Sequence, residues 1–99
     1  MLNIENISKD NELTIALEGR LDTTTAPQLE ENIKLNLGGV ENLVFDFEKL
    51  EYISSAGLRV LLSAQKIMNK QGEMKVINVS EEINEIFEVT GFSDILNIE

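Results

Sequence analysis

The spacing of apolar residues alternates along the chain between strand-like and helix-like patterns, in an order that few folds can accommodate. Residues 2–7 and 13–17 have the apolar spacing of short strands. The Asp10-Asn11 turn signal between them predicts an antiparallel hairpin. Helices are predicted from Thr25 to Gly38-Gly39, from Gly57 to about Lys70 and from Ser80 to Gly91, and the later strands at 43–47, 74–79 and 95–98.

This order, ββαβαβαβ, determines the class of fold that we expect. A strand–helix–strand crossover makes its two strands parallel, whereas the opening hairpin supplies one antiparallel pair. Residues 1–99 are therefore predicted to form a single α/β domain. Its mixed, mostly parallel open sheet, with an N-terminal antiparallel hairpin, should be layered with about three helices.

The starts of the first two helices carry more specific expectations. Thr25 followed three residues later by Gln28 predicts a capping box, and Pro27 suits a first helical turn. Residues 50–55 are expected to connect the third strand to the second helix.

The chain has neither cysteine nor histidine, and this absence excludes several kinds of site. No thiolate or imidazole is available for a disulfide, a typical zinc site or most nucleophile–base pairs. Carboxylates such as Asp22, Asp46 or Glu51 could still act as acids or bases. No P-loop, dinucleotide fingerprint or nucleophile elbow accompanies them. We therefore expect no enzymatic activity, no metal and no cofactor.

The charge of the chain bears on its partners. It has 18 acidic and 8 basic residues, a net charge of −10. Such a surface repels nucleic acid and anionic membranes and attracts a basic partner, although the same charge also simply favours solubility. Residues 1–5 lack the features of a secretory signal, and no apolar run reaches the length of a membrane span. We expect a cytoplasmic protein.

Two adjacent hydroxyls stand where a strand-derived loop becomes a helix, in Tyr52-Ile53-Ser54-Ser55-Ala56-Gly57-Leu58. Serine is a favoured N-cap, so one of them could serve only the helix. Gly57 within the first turn is less expected, because alanine there would favour the helix by about 1 kcal/mol. A glycine at this place indicates a tight turn or a close approach to the backbone. It could also hold the phosphate of a nucleotide, which the negative charge of the chain disfavours.

A serine at this place can also accept a phosphoryl group. The phosphate adds about −1.5 to −2 charges, and the N-terminus of a helix tolerates them. A partner docked over the same residue would be repelled or left with an unpaired dianion, which costs several kcal/mol. Phosphorylation here would therefore switch binding off without refolding the domain.

The chain resembles STAS-domain anti-sigma factor antagonists over essentially its whole length. The resemblance lies in the order and spacing of five segments: Gly19-Arg20-Leu21-Asp22 before a Thr-rich helix start, residues 43–47, residues 52–58, Gly72-Glu73-Met74 and Val89-Thr90-Gly91-Phe92. In the family, the phosphorylated serine lies two residues before the glycine, which corresponds to Ser55. Many members have aspartate where this chain has Ser54, so Ser54 is a possible competing acceptor.

The resemblance implies a single STAS domain that takes part in partner switching. The unmodified protein would bind an anti-sigma factor that is also a serine kinase and so release the sigma factor. ATP-dependent phosphorylation of Ser55 would end that binding, and a metal-dependent serine phosphatase would restore it. The implied partner-binding residues are Asp22, Thr23, Ser54, Ser55, Ala56, Gly57 and Leu58. Similar domains also serve as scaffolds of signalling assemblies or as subunits of transport complexes, and this alternative stays open.

Overall fold

The computed structural model describes residues 1–99 as one four-stranded sheet with three α-helices. In chain order the elements are β1 (Leu2–Lys9), β2 (Glu12–Leu21), α1 (Ala26–Asn36), β3 (Asn42–Ile53), α2 (Ser55–Gln71), β4 (Glu73–Ile77) and α3 (Glu81–Thr90), followed by a short 3-10 turn (Phe92–Asp94).

The sheet has the strand order β1-β2-β3-β4. β1 pairs with β2 in antiparallel fashion, and β2–β3 and β3–β4 are parallel. The predicted mixed sheet with an N-terminal hairpin is therefore confirmed. The last predicted strand, 95–98, is reduced to a single parallel bridge between Val76 and Ile98.

The core lies between one face of the sheet and the helices. Alternate residues of β2 and β3 point to this face and are buried, among them Ile15, Leu17 and Phe45. α3 packs there through Phe87, whose ring centroid is 6.4 Å from that of Phe47. The stripe of apolar residues that predicts each helix is thus the stripe that the helix buries.

β3 is longer than the sequence predicts. Residues 50–53, which we expected in a connection, continue the strand as far as Ile53. The pairing of β2 with β3 shifts register between Ala16 and Glu18 and again between Gly19 and Arg20. These irregularities break the alternation of buried and exposed residues, and with it the pattern that identifies a strand.

The start of α1 also differs from the expectation. Thr25 occupies the N-cap position but makes no capping hydrogen bond with its side chain. The Gln28 amide donates instead to the carbonyl oxygen of Leu2 at 3.2 Å. The predicted capping box is therefore wrong. At α3, by contrast, the Ser80 hydroxyl accepts from the backbone N–H of Ile83 at 3.3 Å, as expected of an N-cap.

Candidate functional site

The C-terminal ends of β2 and β3 bring two segments of the predicted site together. Leu21 and Ile53 are register partners at these ends. The backbone N–H of Ser54 donates to the carbonyl oxygen of Leu21 at 2.9 Å. The loop that begins at Asp22 therefore lies beside the start of α2. This is the C-terminal end of the parallel strands, where open α/β folds commonly bind their ligands.

The two serines at this junction have different environments. Ser55 is the first residue of α2 and is exposed. Ser54 is the N-cap residue, and its backbone carbonyl accepts from the N–H of Leu58 at 2.9 Å. The Ser54 hydroxyl oxygen caps nothing, since it is buried and has no hydrogen-bond partner. Only Ser55 is thus well presented to another protein.

Asp22 organises the neighbouring loop. Its Oδ1 accepts from the Thr24 hydroxyl at 2.8 Å, from the Thr24 N–H at 3.0 Å and from the Thr25 N–H at 3.2 Å. The hydrogen bond from the Thr24 hydroxyl is the main reason that the pKa of the Asp22 carboxyl lies below its ordinary value, and burial opposes this shift. Asp22 is therefore a carboxylate that forms the turn, and its side chain is 30% exposed to solvent.

Thr25 stabilises the same loop through hydrogen bonds of its buried hydroxyl. Its hydroxyl accepts from the backbone N–H of Asp22 at 2.9 Å and donates to the carbonyl oxygen of Arg20 at 2.8 Å. The side chain is 9% exposed. Sequence reasoning missed this role because it assigned Thr25 to a capping box. The Thr-rich composition of residues 23–25 was the only available signal.

Arg20 extends the site along the strands. Its Nε lies 3.9 Å from Asp22 Oδ2, and its guanidinium carbon lies 4.3 Å from the centre of the Tyr52 ring. Arg20 and Tyr52 are register partners on β2 and β3. The sequence did not point to this pair, because they become neighbours only when the register is known. The stacking and the ion pair hold the Arg20 charge beside Asp22.

Gly57 and Leu58 face the interior. A Cβ atom on Gly57 would lie 2.7 Å from Leu21 Cγ and 2.8 Å from Ile53 Cγ1. Glycine is thus what allows α2 to start against the two strand ends. Leu58 is 5% exposed and belongs to the core. Both residues were predicted to be part of a partner-binding surface, and this stays a prediction. Their burial shows that they pack the start of α2 against the strand ends.

The other predicted residues lie on the loop after β2 and at the start of α2. Thr23 and Ser55 are exposed, and Asp22, Ser54 and Ala56 are half-buried. Thr23 and Ala56 also line a groove between α1 and α2, together with Glu30, Arg59 and Ser63. This surface offers hydroxyls and a shallow groove.

The candidate acid–base carboxylates do not converge on Ser55. Asp46 lies seven residues before Ile53 on β3, about 23 Å along the strand. Its Oδ1 accepts from the Asn78 amide and from the backbone N–H of Glu48, both at 3.0 Å. No three of the acidic side chains are grouped so as to hold a metal ion. No helix in the structure has both the length and the apolar character needed to cross a membrane.

Known proteins resemble this chain along nearly its whole length. The family described as "STAS domain" matches residues 3–99. The anti-sigma-B factor antagonist of Staphylococcus aureus (strain NCTC 8325 / PS 47) is 30% identical over 99 residues, which cover 98% of this chain and 92% of the relative.

Solved structures have the same fold. An anti-sigma factor antagonist from Mycobacterium paratuberculosis superposes with a TM-score of 0.90 at 21% identity, covering 99% of this chain and 85% of that one. The unphosphorylated form of the anti-sigma factor antagonist SpoIIAA superposes with a TM-score of 0.76 at 20% identity, covering 100% and 87%. The phosphorylated form of SpoIIAA from Bacillus gives a TM-score of 0.75 at 20% identity, covering 100% and 91%.

The contact of Gly57 with the strand ends predicts a stability loss in Gly57→Ala. Overpacking costs about 1–3 kcal/mol, and the helix propensity of alanine returns up to about 1 kcal/mol. We expect a net loss of about 1–2 kcal/mol in the free energy of unfolding, measured by urea denaturation. Gly38→Ala is the matched control, since a Cβ atom there meets nothing within 4 Å. Equal stability of the two variants would contradict the packing role.

The hydrogen bonds to Asp22 predict a pH-dependent contribution to stability. Because the pKa of Asp22 is lowered in the folded state, its contribution is fully present above the ordinary value of 3.8 and is lost as the pH falls through the folded pKa. Urea midpoints of wild type and Asp22→Ala should therefore differ at neutral pH and converge in acid. Asp94→Ala, which removes an exposed carboxylate, controls for the loss of one charge. A difference that persists unchanged in acid would contradict the assignment.

Proposed function

Because the chain belongs to the STAS domain family of anti-sigma factor antagonists, we propose that it binds an anti-sigma factor through the surface around Ser55 and that phosphorylation of Ser55 ends this binding. The anti-sigma factor is a serine kinase, and its capture releases a sigma factor for transcription. A metal-dependent serine phosphatase returns the protein to its binding form. The domain acts in the cytoplasm as a binding partner and kinase substrate, not as an enzyme.

The observation that carries this proposal is the exposure of Ser55 at the first position of α2. A kinase must bring the hydroxyl of its substrate to the γ-phosphorus of ATP, and Ser55 lies at the surface where this is possible. Transfer of the γ-phosphoryl group to Ser55 Oγ releases ADP and the hydroxyl proton. Burial of the Ser54 hydroxyl oxygen favours Ser55 over its neighbour as the acceptor.

The surroundings of Ser55 support a surface that a partner covers. Thr23 lies on the adjoining loop and is exposed, and Ala56 is half-buried beside Ser55. The hydrogen bonds of Asp22 hold this loop in a fixed shape, which lowers the entropy cost of binding. The net charge of −10 favours an anti-sigma factor with a basic docking face.

The physical switch is local. A phosphate on Ser55 places a dianion in the middle of the covered surface, where water can no longer solvate it. An unpaired or repelled dianion in an interface costs several kcal/mol, and each 1.4 kcal/mol is a factor of ten in affinity. The folded domain itself tolerates the phosphate, since the backbone N–H groups at the start of a helix favour an anion.

Phosphorylation by a cognate anti-sigma factor kinase tests the acceptor. After incubation with kinase, ATP and magnesium, intact-mass spectrometry should find one added phosphoryl group on wild type and on Ser54→Ala. Ser55→Ala should remain unmodified, because the remaining hydroxyl at position 54 is buried. Phosphate on Ser54, or equal uptake by Ser55→Ala, would contradict the assignment. So would a pull-down that returns scaffold or transport proteins and no anti-sigma factor.

A charge at position 55 should weaken binding and leave the fold intact. We expect Ser55→Asp to raise the Kd for the anti-sigma factor by roughly tenfold to a hundredfold in calorimetry, since it introduces one of the two phosphate charges. Its free energy of unfolding should change by less than about 0.5 kcal/mol.

Asn69→Asp is the matched control for Ser55→Asp. It adds the same charge at an exposed position near the other end of α2. We expect this variant to bind the anti-sigma factor as wild type does. Equal weakening by both substitutions would indicate a general charge effect and would contradict a binding surface at Ser55.

A further inference from the structure

The start of α2 carries no negative charge of its own. Its first turn contains no acidic residue, as is also the case for α1, whereas the first turn of α3 contains Glu81 and Glu82. The second turn of α2 presents Arg59, one of only 8 basic residues against 18 acidic ones. A cation near the positive end of a helix is placed unfavourably with respect to the helix dipole. The unmodified helix therefore lacks a negative charge in the place where one would stabilise it.

Arg59 is positioned to reach Ser55. The two residues are four apart on one helix, and both are exposed. Side chains at this spacing lie on the same helix face, and long side chains lean back toward the N-terminus. A side chain as long as that of Arg59 can therefore reach the first turn, where Ser55 is located.

The Arg59 guanidinium is not committed elsewhere in the chain. The ion pairs of the structure are Arg20–Asp22, Glu30–Lys34 and Lys75–Glu99. Arg20, the basic residue of the adjoining strand, is held by Asp22 and by the Tyr52 ring. Of the residues that line the groove between α1 and α2, the charged ones are Arg59 and Glu30, and Glu30 is paired with Lys34 at 3.3 Å.

We propose that Arg59 is the counter-ion of phosphorylated Ser55, holding the phosphate against the face of α2. This inference rests on the proposed function, because it concerns the phosphorylated form of the same site. Guanidinium groups bind phosphate oxygens through paired N–H donors, a geometry that lysine does not reproduce. Asp22 on the neighbouring loop and Glu30, which lines the same groove as Arg59, are negatively charged and would repel the phosphate. Arg59 opposes that repulsion.

The test uses the full chain with phosphoserine incorporated at position 55 by genetic encoding, so that no kinase is needed. Phosphorus NMR then follows the second ionisation of the phosphate as a function of pH. A nearby cation favours the dianion and lowers the phosphate pKa. We expect this pKa to be lower in the chain with Arg59 than in Arg59→Gln by about 0.2–0.4. Arg59→Lys should recover only part of the difference.

Lys66→Gln is the matched control, because it removes the same charge from an exposed position on α2. Lys66 lies about 16 Å along the helix from Ser55, beyond the screening length at physiological salt. We expect it to leave the phosphate pKa unchanged. Equal pKa values with Arg59 and with Arg59→Gln, or an equal shift in Lys66→Gln, would overturn the proposal.

The outcome is separable from that of the proposed function. If a kinase fails to modify Ser55 while the encoded phosphoserine shows the Arg59-dependent shift, the switch is rejected and the local ion pair stands. If the kinase modifies Ser55 and the shift is absent, the switch stands and the role of Arg59 is rejected.

Discussion

The site depends on the packing of the start of α2 against the ends of β2 and β3. A side chain of any size at position 57 would collide with Leu21 and Ile53. With glycine there, the helix begins directly on the strand ends, and Ser54 bonds to the Leu21 carbonyl. This close contact places the exposed hydroxyl of one segment beside the structured loop of the other. A buried glycine thus determines where the exposed residues of the site lie.

Hydrogen bonds from threonine hydroxyl groups also determine the shape of the loop after β2. Thr24 and Thr25 surround the carboxylate of Asp22 and tie the loop to β2. The Thr25 hydroxyl, which an N-cap residue usually offers as an acceptor to the first helical N–H groups, is used here to shape a turn. The loop is consequently rigid without any packing of its own, which suits a surface that must stay exposed and keep its shape.

The sequence predicted the order of elements well, because apolar spacing records which face of each element is buried. It underestimated β3, since Phe47, Leu50 and Ile53 are three residues apart and follow neither the strand nor the helix period. It assigned Thr25 and Gln28 to a local motif, whereas both side chains bond to segments outside the helix. The importance of Gly57 was visible as an anomaly in the helix, but the residues that approach it could be identified only in three dimensions. The choice between Ser54 and Ser55 came from family resemblance, and the burial of the Ser54 oxygen now gives a physical reason for it.

The unpaired hydroxyl of Ser54 affects how the helix start can be used. A carboxylate at this position would accept hydrogen bonds from the first backbone N–H groups of α2 and satisfy them permanently. Serine turned inward leaves those amides without a protein acceptor. The backbone N–H groups of the first turn therefore remain free to bind an anion. A negative group on residue 55 would not compete with another side chain for them. The phosphorylation proposed for Ser55 would therefore also cap the helix.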